Sequence, residues 1–379
     1  MTEASDAKTA RGLKVMTLGK GAESHVVMGN LYLRQRQYAR AIQEFATAIE
    51  LNQDMAMAHL GLGSVHLIQK EDEKAAASFE EALRLNPDMA GAYFNIGILK
   101  LREKDRAGAT GAFEKAVQLN PEMLAAHFAL GNLYLAQQQY EDAIREFHES
   151  LRLKPSFTMA RFRLARAHRA LGQESSALEA YEEGIRLNPK MAMAQMQLGE
   201  MYAKSRRYDE AIAAFRRALE IRPKIMLAQL RLGDMFLEKG LFAEAEESYG
   251  QALKMAPKRA VVHVKIGDLF ARQGLHDRAI GLYQKALELN PRLAEIHRRL
   301  GNSYAAQERY DDAVAAYESA IALNPKLAVA FCDLGEAHLA ADRPQEAAEA
   351  FRRALEAKPD LEAARERLAE AEKRSRRRR

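Results

Sequence analysis

The sequence predicts an all-α fold made of ten stacked helix hairpins. Residues recur with a period of 34, each period holds two amphipathic stretches, and nine of the ten periods end in proline. A fixed period of this length is the signature of a stacked repeat array rather than of a single closed core. Apolar spacings of three and four residues in each stretch indicate helices.

Small and aromatic residues occupy fixed places in every repeat. Position 8 is glycine in nine repeats and Ala165 in the fifth, and position 20 is always alanine. Position 24 is always aromatic: Phe45, Phe79, Phe113, Phe147, Tyr181, Phe215, Tyr249, Tyr283, Tyr317 and Phe351. The small residues let helices approach closely, and we expect the aromatic ring to fill the space between hairpins. The closing Asn-Pro pair should stop the second helix, with Asn accepting a left-handed cap.

The spacing L-G-x₂-Y … A-x₃-F-x₂-A … P resembles the tetratricopeptide repeat. The ten repeats begin at Ala22, Ala56, Ala90, Leu124, Thr158, Ala192, Met226, Ala260, Ala294 and Ala328. The resemblance implies a right-handed superhelical solenoid of ten helix-turn-helix repeats over residues 22–361. It also implies a non-enzymatic, protein-binding scaffold that holds a partner peptide or helix in its concave groove.

The segments outside the repeats have their own character. Residues 1–21 show no repeat pattern and are predicted to be a flexible lead, and residues 362–372 are predicted to form a polar capping helix. Residues 373–379 carry six positive charges of a chain whose net charge is +5, so the rest of the chain is close to neutral. This basic segment is predicted to be a disordered tail.

Nothing in the sequence indicates a reaction. Most of the ten histidines occupy positions 4 and 11 of the repeats, where packing is a better interpretation than metal binding. The single cysteine, Cys332, cannot form an internal disulfide, and no long apolar run is present. We therefore expect a cytoplasmic protein with no catalytic residues, metal, cofactor or small-molecule substrate.

The candidate partner-binding residues come from the face that the resemblance identifies as concave. Positions 2, 5, 9 and 12 of the first helices share one side by their spacing. Apolar candidates at positions 2 and 5 are Phe94, Phe128, Met159, Phe162, Met193, Met196, Leu227 and Leu230, and Asn132 is a polar candidate at position 9. The position-5 strip is either an adaptable exposed surface or is packed between neighbouring helices.

Charges on the same face suggest two interpretations. From the seventh repeat onward, acids at position 9 and bases at position 6 are expected to form ion pairs between adjacent helices. The fifth repeat instead groups Arg161 with Arg163, Arg166 and Arg169, which form a candidate clamp for a carboxylate or another anion.

Two alternative functions stay open at this stage. The basic end could bind an anionic partner, either nucleic acid or a membrane surface, through Arg374, Arg376, Arg377, Arg378 and Arg379. The end repeats could also associate with a second copy and give a homo-oligomer.

Overall fold

The computed structural model describes residues 21–377, which contain helices and no strand. The predicted N-terminal lead lies outside the described residues except for Gly21. The 21 helices of the described part are α1 (Ala22–Arg34), α2 (Tyr38–Leu51), α3 (Ala56–Gln69), α4 (Asp72–Leu85), α5 (Ala90–Arg102), α6 (Arg106–Leu119), α7 (Leu124–Ala136), α8 (Tyr140–Leu153), α9 (Thr158–Ala170), α10 (Glu174–Leu187), α11 (Ala192–Lys204), α12 (Tyr208–Ile221), α13 (Met226–Glu238), α14 (Phe242–Met255), α15 (Ala260–Arg272), α16 (His276–Leu289), α17 (Ala294–Ala305), α18 (Tyr310–Leu323), α19 (Ala328–Ala340), α20 (Pro344–Ala357) and α21 (Glu362–Arg377).

The helices form two compact units, Met1–Asn188 and Pro189–Arg379. The first unit holds hairpins α1–α2 to α9–α10, and the second holds hairpins α11–α12 to α19–α20 followed by α21. The first helix of each hairpin begins at a predicted repeat start. The predicted all-α class is therefore confirmed, while the hand of the superhelix stays a prediction.

The core of each hairpin is the aromatic ring at position 24. All ten of these rings are at most 2% exposed, and the alanines at position 20 are fully buried. The ring lies against the glycine at position 8 of the first helix. A Cβ atom on Gly267 would lie 2.6 Å from the Tyr283 ring, which is closer than real atoms approach. Glycine is therefore required for this contact between the two helices.

The turns on either side of the second helix differ from the sequence prediction. The cap asparagines are extended rather than left-handed, with φ of −149° at Asn52 and −143° at Asn86. The Oδ1 atom of Asn52 accepts a 3.0 Å hydrogen bond from the Asp54 backbone N–H and so forms a local turn. The left-handed residue stands instead between the two helices of each hairpin, at position 15, as at Lys70 and Gly274.

The last helix is longer than predicted. Helix α21 runs from Glu362 to Arg377, so residues 373–377 of the predicted disordered tail are helical. An ion pair between Arg374 and Glu370, four residues apart, supports this extra turn. Ala364 and Ala371 are buried against the preceding hairpin, which gives α21 the capping contact expected of it. Residues 378 and 379 lie outside the described part.

None of the helices between residues 21 and 377 is both long and apolar enough to cross a lipid bilayer. The hairpin helices have 12 to 14 residues each, and α21 has 16.

Two glycines of the eighth repeat test the role of the ring contact. Gly267→Ala should lower the free energy of unfolding by about 1–3 kcal/mol, because the added methyl group overpacks the Tyr283 ring. Gly281 lies on the exposed side of α16 with no atom within 4 Å of an added Cβ. Gly281→Ala should therefore raise stability by up to about 1 kcal/mol through helix propensity. Urea denaturation followed by circular dichroism measures both, and equal effects would contradict the packing argument.

Candidate functional site

The candidate site lies on the first-helix face, which is the surface formed by positions 2, 5, 6, 9 and 12 of the first helices. Within this face the structure separates the predicted residues by burial. Position 2 is exposed to solvent at Met159, Met193 and Leu227. This exposure makes these three side chains available for a partner.

The position-5 strip is largely packed rather than exposed. Phe162, Met196 and Leu230 are buried, so the interpretation of these three as exposed anchors is wrong. Phe94 and Phe128 are half-buried. The Phe94 ring lies 5.6 Å from Phe113, centroid to centroid, which places it against the second helix of its own hairpin.

Phe128 is also held by neighbouring rings. Its centroid lies 4.7 Å from that of Phe157 and 6.0 Å from that of Phe147. Aromatic pairs at these distances stabilise a fold beyond their buried area. Phe128 therefore contributes to packing and is only partly exposed.

The burial of Phe162 has a local cause that was visible in the sequence. Position 27 is alanine in eight repeats, serine in one and glycine only at Gly184. A Cβ atom on Gly184 would lie 2.7 Å from the Phe162 ring, so the ring occupies the space that the missing methyl group leaves. Phe162 also lies 6.1 Å from Tyr181, centroid to centroid.

An open pocket on the first-helix face of the first compact unit includes a predicted residue. It has a volume of about 520 Å³, and its lining residues are Leu101, Lys104, Arg106, Ala129, Asn132, Leu133 and Ala136. Asn132 donates a 2.7 Å hydrogen bond to the Phe128 carbonyl oxygen. Its side-chain oxygen can therefore still accept a hydrogen bond. Leu101, exposed at position 12 of the predicted face, was not among the predicted candidate residues.

The arginine cluster of the fifth repeat is smaller than predicted. Arg161 donates to Glu183 at 2.6 Å and to the Pro155 carbonyl oxygen at 2.9 Å, so it is a structural residue. Arg163 is half-buried and Arg166 is exposed. Burial first, and then the positive charge of Arg166 three residues away, lower the pKa of Arg163. Arg169 is half-buried and already has an interaction partner.

The first-helix face of the second compact unit carries the predicted ion pairs. Lys265 at position 6 lies 2.9 Å from Asp234 at position 9 of the preceding repeat, and Arg299 pairs in the same way with Asp268. Arg367 of α21 continues the series by pairing with Glu336. We call this series the charge ladder.

Tyrosines of the second helices form hydrogen bonds with the acids of the charge ladder. The Tyr249 hydroxyl donates to Asp234 at 2.7 Å, and the Tyr283 hydroxyl donates to Asp268 at 2.8 Å. Burial first, and then the adjacent carboxylate, raise the pKa of both tyrosines, so they remain neutral donors.

The pocket on this second face is polar and largely neutralised by its own residues. It has a volume of about 550 Å³, and Asp234, Lys265, Asp268, Arg272, Glu295 and Arg299 are among its lining residues. The corresponding contact in the first compact unit is uncharged, since Asn95 donates to the Ser64 hydroxyl at 3.1 Å. The two units thus present different first-helix faces.

Histidines at position 4 hold the loops that precede the first helices. In His127, Nδ1 lies 2.6 Å from Glu146 and Nε2 lies 3.0 Å from the Pro121 carbonyl oxygen. His263 contacts the Pro257 carbonyl oxygen at 2.8 Å. These placements agree with the packing interpretation. Residues 21–377 contain no group of three or more His, Cys, Asp or Glu side chains arranged to hold a metal ion.

Family comparison identifies the class of protein that this fold and face define. Tetratricopeptide repeat models match residues 26–90, 100–149, 128–189, 162–224, 230–294 and 298–362. Because the matches cover well over half of the sequence, the chain belongs to the tetratricopeptide repeat family. Arrays of this family are generally non-enzymatic scaffolds for protein–protein interaction.

Solved structures include similar chains, while no curated protein sequence matches. A MamA crystal structure is 28% identical, with a TM-score of 0.42 over 43% of this chain and 95% of MamA. Yeast Tom70 is 15% identical, with a TM-score of 0.46 over 94% of this chain and 96% of Tom70. A chain of the Cut9–Hcn1 hetero-tetramer of the APC/C is 13% identical, with a TM-score of 0.48 over 98% of this chain and 99% of that one.

A pair of substitutions on α9 separates packing from binding residues. Phe162 is 7% exposed and Met159 is 41% exposed. Phe162→Ala should lower the free energy of unfolding by about 3–5 kcal/mol, because it leaves a cavity beside Gly184 and Tyr181. Met159→Ala should change it by less than about 0.5 kcal/mol. Chemical denaturation measures both, and a neutral Phe162→Ala would return Phe162 to the candidate binding residues.

Proposed function

We propose that the chain is a protein–protein interaction scaffold that holds an extended partner peptide on its first-helix face, which the family resemblance identifies as concave. Repeats 3 to 5 of the first compact unit form the binding part. The observation that carries this proposal is the open pocket with exposed Leu101 and available Asn132, in a region without a charge ladder.

Apolar and polar contacts have separate roles in this proposal. Leu101 and Met159 would each lose exposed apolar surface when a partner covers them, which favours binding. Asn132 can accept a hydrogen bond from the backbone of an extended peptide. These contacts suit a partner of varied sequence, because methionine and leucine adapt to different side chains.

The remaining arginine pair adds an anionic preference. Arg163 and Arg166 lie close enough for their charges to oppose one another. A partner carboxylate placed between them would relieve this repulsion and accept charge-assisted hydrogen bonds. The partner in this proposal therefore carries an acidic residue or a terminal carboxylate near its contact with repeat 5.

The position of the exposed residues decides which substitutions test the proposal. Phe128 and Phe162 are unsuitable, because changing them removes packing. Leu101→Ser with Met159→Ser removes two exposed apolar contacts from first helices instead. Leu241→Ser with Leu275→Ser is the matched control, since these leucines are similarly exposed and lie in the turns inside hairpins.

Partner capture from native lysate measures the outcome by quantitative mass spectrometry. We expect the Leu101→Ser/Met159→Ser chain to lose partners that the wild type and the control retain, with unchanged helix content. Retention of all partners would contradict the proposed surface. A chain with Arg376→Ser and Arg377→Ser tests the basic-end alternative, and selective loss there would assign binding to α21.

A further inference from the structure

A second groove lies at the edge of the second compact unit, away from the charge ladder. It is an open space of about 620 Å³ where the loops enter α15 and α17, beside the end of α16. We call it the loop-edge groove. Its lining shares Glu295, but no other residue, with the polar pocket on the first-helix face.

The floor of the loop-edge groove is apolar. Val264 and Ile296 are buried at its base, and Val261 and Leu289 are exposed at its walls. An apolar side chain of a partner that enters the groove would remove surface of both wall residues from water. Such burial is the main favourable contribution to association.

The rim of the loop-edge groove is positively charged. Lys258, Arg259 and Arg292 are exposed, and none of them forms an ion pair with residues 21–377. The acid of the lining, Glu295, is already 2.7 Å from Arg298 and 3.5 Å from Arg299. Arg298 in particular lowers the pKa of Glu295. Glu295 therefore pairs with arginines of its own helix and does not neutralise the charge of the rim.

The same combination recurs along the edge of the second compact unit. Position 33, in the loop before each first helix, is basic in five successive loops: Lys190, Lys224, Lys258, Arg292 and Lys326. Three residues later the chain carries an exposed apolar side chain in four of five cases: Met193, Leu227, Val261 and Val329. In the first compact unit, position 33 is instead Asp54, Asp88, Glu122 and Ser156. The basic charge at position 33 thus distinguishes the second compact unit, whereas exposed apolar side chains at position 2 also occur in the first unit, at Met57 and Met159.

We propose that the loop-edge groove binds an extended acidic segment of a partner protein, with one apolar side chain in the groove and flanking carboxylates on Lys258 and Arg292. The inference rests on the proposed scaffold function and gives the chemical class of a partner for the second compact unit, where Val261 and Val264 belong to the first-helix face and the basic rim belongs to the loops beside it. An apolar floor favours a peptide over nucleic acid, because a phosphate backbone would leave Val261 and Leu289 uncovered.

Repeat spacing sets the pattern of the partner sequence. Packed helices lie roughly 8–10 Å apart, and an extended peptide in the polyproline II conformation advances about 3.1 Å per residue with every third side chain on the same side. A partner with an apolar residue at every third position and acids between them therefore matches successive repeats. The probe is a fluorescein-labelled peptide of repeated Leu-Glu-Asp triplets, and the comparison peptide has Ser in place of Leu.

Fluorescence anisotropy with the full chain tests the proposal. Lys258→Glu with Arg292→Glu should weaken probe binding at least about tenfold by reversing the rim charge. Val261→Ser should weaken it severalfold, and the serine peptide should bind more weakly than the leucine peptide. Lys254→Glu with Lys285→Glu is the control of equal net charge, because these exposed lysines lie on second helices. It should retain binding within about twofold.

Each contrary result overturns the proposal. These results are no saturable binding by the wild type, equal binding of the serine peptide, or equal losses in the rim and control variants. The last two would indicate nonspecific attraction of a polyanion. The Leu101→Ser/Met159→Ser chain should bind the probe normally. If that chain alone loses the probe, the loop-edge proposal fails while the proposed first-helix site stands.

Discussion

The contact between the position-24 ring and the position-8 glycine is the constraint on which nine of the ten hairpins depend. The ring is buried in all ten repeats, and the glycine leaves no room for even one additional carbon atom. This close approach sets the separation of the two helices and therefore the direction of every other side chain on them. Repeat 5 shows how sensitive it is, because Ala165 replaces the glycine there and a close ring contact forms at Gly184 instead.

The strict period explains why helices and hairpins could be predicted closely from sequence. Each first helix begins at its predicted residue, since the same turn chemistry recurs every 34 residues. Burial on the first-helix face was harder to predict, because helical spacing gives a direction but not the width of the contact with the neighbouring helix. Met159 and Phe162 are three residues apart on one helix, yet only Met159 is exposed. The distinguishing signal was Gly184, on a different helix.

The same backbone carries two different surfaces. In the first compact unit, a neutral hydrogen bond from Asn95 to Ser64 joins neighbouring repeats, and exposed apolar side chains remain beside it. In the second unit, Lys265 and Asp234 join the corresponding positions and neutralise one another. For the second unit we instead propose binding at its loop edge, where Lys258, Arg259 and Arg292 form no ion pair with residues 21–377. The sequence signal for this difference between the two units was the side chain at position 33, which is acidic or neutral in the first unit and basic in five successive loops of the second.

The charge ladder also gives the second unit a mechanical property. Its ion pairs join successive repeats on the first-helix face. Bending the array so that this face opens would separate opposite charges, whereas bending it in the other direction would not. The pairs are partly exposed, and dissolved ions screen them over a Debye length of about 8 Å at physiological ionic strength. Rising salt should therefore weaken the contribution of the charge ladder to the stiffness of the second unit, whereas the neutral hydrogen bond between Asn95 and Ser64 in the first unit is not screened in this way.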